Sequence, residues 1–111
     1  MTVIAKNIVP AKVAENTDTN QYTAVNCTTI IDKFTVTNTT ASAATFSAHI
    51  VPQGGAVGVT YAVISGRSIS PGETYNCPEL VGQIMAPNSY LSTVAGTASA
   101  LTIRGSGREI T

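Results

Sequence analysis

Period-two alternation of apolar and polar residues, broken by turn residues at intervals of roughly eight to twelve, is what most limits how this chain can fold. Successive side chains of a strand point to opposite faces, so such a segment covers a core with one face and meets solvent with the other. The clearest case is "TTIIDKFTVTNTT", residues 28–40, where Phe34 and Val36 share one face and Thr35 and Thr37 the other. Carried backwards, that alternation puts Asp32 beside Ile30 on the apolar face, where an unpaired carboxylate is costly. One extra residue exchanges the faces, so a bulge or an edge is expected between Ile31 and Lys33.

Other segments follow the same pattern. "TVIAKNIV" reads as a first strand ended by Pro10; residues 1–14 are expected as an N-terminal arm or edge strand, and residues 15–111 as the main domain. The polar connection 15–21 leads to a strand at Tyr22, and "TFSAHIV" alternates again, with Phe46, Ala48 and Ile50 against Ser47, His49 and Val51. "PQGGAVG" reads as a loop, and "VTYAVIS" as a strand reaching a turn at Gly66. In the corner Ser70-Pro71-Gly72-Glu73, Pro71 presets its φ and Gly72 supplies the positive φ of a type II turn. "PELVGQIMAPNS" could open a helical turn at Pro78 and Glu79, but Gly82 and Pro87 keep it short. "YLSTVAG" and "ALTIRGS" read as a closing hairpin, with "GREIT" as a polar tail. With about eight strands and no segment of persuasive 3.6 period, the expectation is an all-β, single-domain antiparallel β-sandwich of jelly-roll type.

At 111 residues the chain has room for one domain. Six basic residues balance six acidic ones, which leaves no electrostatic footprint for nucleic acid or an anionic membrane. Charged residues make up only 11% of the chain, against about 25% in ordinary globular domains. Charge normally protects exposed sheet edges, so this composition favours a protein held by neighbours in an assembly. No apolar run approaches the roughly 18 residues of a membrane span. Lys6, Pro10 and Lys12 interrupt the opening segment, which lacks the apolar centre of a secretory signal, so synthesis and use in the cytoplasm are expected. Cys27 and Cys77 are expected as thiols there; a disulfide between them needs a geometry that sequence does not supply.

Chemistry is sparsely represented. The single histidine, His49, sits mid-strand and reads as an exposed or interface residue, because general-base work needs a placed nucleophile and an orienting carboxylate. No Cys, His or carboxylate spacing matches a zinc or EF-hand site, so no metal and no cofactor are expected. "PQGGAVG" and "RGSGRE" lack the phosphate-loop pattern and read as turns. Without Trp, and with only two Phe and four Tyr, the chain offers little stacking surface for sugars or single-stranded nucleic acid. Catalytic residues are therefore expected to be absent. Arg104 and Arg108 could pair with a partner's carboxylates, or simply charge an exposed last strand.

"TIIDKFTVTNTT", "ISPGETYNCPELVG" and "ALTIRGSGREIT" together resemble a group of small tailed-bacteriophage virion structural proteins. The pieces that carry the likeness are Thr37-Asn38, Val51-Pro52-Gln53-Gly54-Gly55, Pro71-Gly72-Glu73 and Ser99-Ala100-Leu101-Thr102-Ile103, within residues 22–111. The resemblance implies a non-enzymatic virion building block in many copies. Its foremost form is a head decoration (cement) protein that binds the major capsid protein on the outside of the head, after assembly in the bacterial host cytoplasm. Self-association, with a trimer expected, follows from the threefold positions of such lattices. A tail, neck or fibre-attachment protein of the same fold is the alternative, and a small carbohydrate- or host-surface-binding module the next. Candidate partner-contact residues are Val3, Ile4, Lys6 and Ile8 of the first strand and Arg104, Arg108 and Glu109 of the last; Pro71 and Gly72 are candidate structural turn residues.

Overall fold

The computed structural model describes residues Met1–Thr111. Nine strands follow in order: β1 (Val3–Val13), β2 (Thr19–Thr23), β3 (Thr28–Asn38), β4 (Ala44–Val51), β5 (Ala62–Ile69), β6 (Thr74–Tyr75), β7 (Ile84–Met85), β8 (Tyr90–Ala95) and β9 (Leu101–Ile110). One sheet has the order β1-β9-β3-β6, with β7 also on β3, and the other the order β2-β8-β4-β5. All pairings are antiparallel, and one set of them is nested: β1 with β9, β2 with β8, β3 with β6 and β7, β4 with β5. That nesting is a long hairpin rolled into two facing sheets, a jelly roll. Since β6 and β7 pair with the two ends of β3, they act as halves of one interrupted strand, which reconciles nine strands with the expected eight or so.

The core lies between the sheets. Phe34 of β3 and Phe46 of β4 stack across it with ring centroids 6.2 Å apart, and Ile31, Leu80, Met85, Leu91, Leu101 and Ile103 are fully buried around them. The conflict at Asp32 is resolved as the alternation demanded: the register of β3 on β9 shifts between Ile31 and Lys33, so Asp32 and Lys33 are both exposed while Ile31 and Phe34 are both buried. The corner after β5 also has its expected form. Gly72 has φ +73°, and the Glu73 N–H donates to the Ser70 carbonyl at 3.0 Å, closing a type II turn. Because β5 and β6 lie in different sheets, this corner carries the chain across the sandwich.

Several local expectations are corrected. β8 and β9 do not form a hairpin: β8 pairs with β2 and β4, β9 with β1 and β3, and the intervening residues cross from sheet to sheet. "GREIT" is no tail, since β9 continues to Ile110 between two neighbours. Nor is "RGSG" a turn. Gly105 and Gly107 stand inside β9, where an added Cβ would lie 2.6 Å from the Phe34 ring and 2.4 Å from the Ile30 carbonyl oxygen. Gly66, expected to end a strand, is a bulge within β5 at φ +61°, its N–H donating to Ser47 Oγ at 2.8 Å. Residues 59–61 form a short 3-10 turn rather than the start of that strand, and 78–82 are turns without helix.

Candidate interaction surface

Val3–Val13 runs along one side of β9 as an edge strand, and the other side of β1 is unpaired. Register shifts between Lys6 and Val9 and between Val9 and Lys12, together with Pro10, roughen its second half. Such irregularities hinder pairing with another chain. Val3–Lys6 is the longest stretch of regular register in β1. Thr2 and Thr111 exchange both backbone hydrogen bonds, so by antiparallel alternation Val3 and Ala5 turn their N–H and C=O groups outward. Val3 and Ile4 are about half exposed, at 49% and 52%. Ile8 is corrected as a contact residue: it continues the inward-facing alternation of Ile4 and Lys6 and is buried in the core, and the shift after Lys6 brings Val9 inward beside it.

The last strand divides its charged residues between the two faces. Arg108 points outward from β9, where its Nε and Nη2 grip Asp32 of β3 at 3.0–3.1 Å. This contact holds the guanidinium pKa above its usual value. Arg108 thus has an acidic partner within its own chain. Glu109 faces the other way, into a polar cluster at the rim between the sheets. Its carboxylate accepts from the Tyr22 hydroxyl of the opposite sheet and pairs with Lys6 at 3.3 Å; Tyr22 also meets Thr29 at 2.6 Å. The Tyr22 hydrogen bond first, and Lys6 after it, depress the Glu109 pKa. Burial first, and then Glu109, raise that of Tyr22. Glu109, braced by Lys6 of its own sheet, therefore fastens the two sheets together through Tyr22 at this rim.

Arg104 differs from both. It is exposed on the outer face of β9 opposite Thr35, and it forms neither an ion pair nor an aromatic contact. The same outer face carries an apolar end, because Val3, Ile110 and Thr28 lie in one cross-strand row and Ala5, Arg108, Ile30 and Ile84 in the next. Ile84 is 65% exposed.

Elsewhere the polar groups are structural. Asn38, to which the sequence assigned no structural role, is fully buried at the end of β3. Its Nδ2 donates to the carbonyls of Ser42 and Ile69 at 2.8 and 2.9 Å, while its Oδ1 accepts from the N–H and hydroxyl of Thr40. Backbone bonds from Gly72 N–H to the Asn38 carbonyl and from Asn38 N–H to the Glu73 carbonyl attach it to the Pro71-Gly72 corner. Cys27 and Cys77 are both buried free thiols, and burial pushes the Cys77 pKa up to about 12. His49 is half-buried opposite Ser92, and neither its Nδ1 nor Ser92 Oγ has a hydrogen-bond partner. No three His, Cys, Asp or Glu residues are grouped to hold a metal ion.

No protein-family model matches the sequence, and no curated protein matches it significantly. Solved structures of infectious bursal disease virus do match in fold. Chains in the structure of the Gx strain, in the T13 viral particle and in the VP2 subviral particle are 15%, 13% and 13% identical to this one, with TM-scores of 0.52, 0.55 and 0.51. Each likeness covers 98% of this chain but only 33%, 31% and 32% of the other, so this chain spans about a third of their length. At such identities the shared feature is the two-sheet fold itself, carried almost end to end by the present chain.

Proposed function

We propose that this chain is a virion structural protein and, more narrowly, a decoration protein that binds the outside of a phage head and ties neighbouring major capsid protein subunits together. The observation that carries this reading is the fold: a jelly roll whose whole length corresponds to part of chains found in virus particles. Three further features suit the role. The surface is poor in charge, Val3 and Ala5 leave an edge open to strand addition, and exposed Val3 and Ile84 lie on one sheet face. The work is mechanical: the domain spans a subunit boundary and holds both sides, with no catalytic step. Self-association into a small ring, a trimer in the simplest case, would present the same face several times to a symmetric lattice.

Co-sedimentation of the purified protein with undecorated heads tests the proposal. Saturable pelleting with heads is expected. Pelleting with isolated tails and not with heads would replace it by a tail or neck role.

A further inference from the structure

Of the six basic side chains, Lys6, Lys12 and Arg108 are in ion pairs, and Arg67 lies over the Tyr75 ring at 4.3 Å. Lys33 and Arg104 alone have neither kind of partner, yet they converge. Both line one depression of about 310 Å³ on the outer face of the β1-β9-β3 sheet, with Asn7, Thr35, Gly105 and Ser106. Its position follows from the backbone, because β1 shifts register after Lys6 and β3 after Ile31, on either side of the small Ser106. Lys33 is paired with Ser106 and Thr35 with Arg104, so the two cations are diagonal cross-strand neighbours. Diagonal neighbours are roughly 7–8 Å apart, close enough for two long side chains to reach one anion. Like charges so placed repel, and a bound anion relieves that repulsion. The hydroxyls of Thr35 and Ser106 and the Asn7 amide add further donors around the same space.

We propose that this depression receives one carboxylate side chain from the protein surface on which the domain sits. Lys33 and Arg104 supply the charge, and Ser106 and Thr35 the hydrogen bonds. This deepens the decoration reading and rests on it. A single carboxylate fits better than a polyanion, since Asp32 lines the adjoining depression and the chain carries no net charge to attract nucleic acid. The expected role of Arg104 in meeting a partner's acid is thereby kept, with Lys33 in the place Arg108 was expected to take.

The test is an NMR titration of the full chain with the probe acetyl-Gly-Glu-Gly-amide, its Gln counterpart and inorganic phosphate, read at the backbone amides of residues 33–35 and 104–106. Saturable shifts with the Glu peptide, none with the Gln peptide and none in a folded Lys33→Gln/Arg104→Gln variant are expected. Absence of a saturable response to the Glu peptide, an equal response to the Gln peptide, or stronger binding of phosphate at the same amides overturns the proposal. Heads separate the two levels of inference. If wild-type protein fails to pellet with heads, the decoration reading falls whatever the peptides do. If the double variant pellets as well as wild type at every salt concentration, the depression is not the head contact.

Discussion

Gly105 lies against the ring of Phe34: the two are register partners on β9 and β3, and a Cβ at Gly105 would come within 2.6 Å of Phe34 Cδ2. Phe34 is itself fully buried and stacked on Phe46 of the other sheet, so its ring cannot withdraw without opening the core. Gly105→Ala should therefore destabilise the domain by about 1–3 kcal/mol, the usual cost of overpacking a filled core. Chemical denaturation measures it. An unchanged midpoint would mean that Phe34 has somewhere else to go.

Gly72 presents the opposite situation, with no atom within 4 Å of an added Cβ and a φ of +73°. Any penalty there is conformational. Gly72→Val should cost about 1–3 kcal/mol, and Gly72→Asn clearly less, because Asn tolerates the left-handed region. Equal melting temperatures for the two variants would contradict the type II turn.

These two glycines show what could be read from sequence and what could not. The corner is local: Pro71, Gly72 and the Ser70–Glu73 hydrogen bond lie within one turn, and their residue types state its geometry. The bulge at Ile31–Lys33 was legible too, because Asp32 could not share a face with the buried apolar residues. Gly105 and Gly107 resemble a loop in the sequence, since their reason for being glycine lies on another strand, in the Phe34 ring and the Ile30 carbonyl. Sheet membership is equally non-local. The five residues between β8 and β9 suit a hairpin as well as a crossing, and only pairing with β4 and β3 decides. Of the contact residues, Arg108 could not be known to face Asp32, 76 positions earlier, nor Ile8 to stand on the face of its strand that meets the other sheet.

Asn38 should be among the least replaceable polar residues. Asn38→Ala removes the hydrogen bonds to Ser42, Ile69 and Thr40 at a fully buried position and takes the amide donor away from the buried Ile69 carbonyl. A loss of about 2–4 kcal/mol is expected, from the lost bonds together with the buried acceptor at Ile69. Calorimetry that finds this variant as stable as wild type would show that water replaces the amide.

Stability should also respond to pH through the rim cluster. The Glu109 pKa is depressed in the folded state, so its contribution is present above the unfolded value of about 4.3 and is lost as pH falls through the folded value. The Tyr22 pKa is raised, so its contribution is present below about 10 and is lost as pH rises further. Glu109→Gln should flatten the acid limb of a melting-temperature profile, and Tyr22→Phe the alkaline limb. A Glu109→Gln profile that falls as steeply as wild type below pH of about 4 would assign acid sensitivity to other carboxylates.

Where this domain sits on a virion can be seen by electron microscopy. A gold-binding tag inserted at Gly54, in the loop after β4 where no atom lies within 4 Å of an added Cβ, leaves the sheets and the Lys33–Arg104 depression untouched. Decoration of a capsid lattice requires label spread over the whole head at many regularly spaced positions. Label confined to one vertex, to the tail or to its fibres, with bare heads, would contradict it.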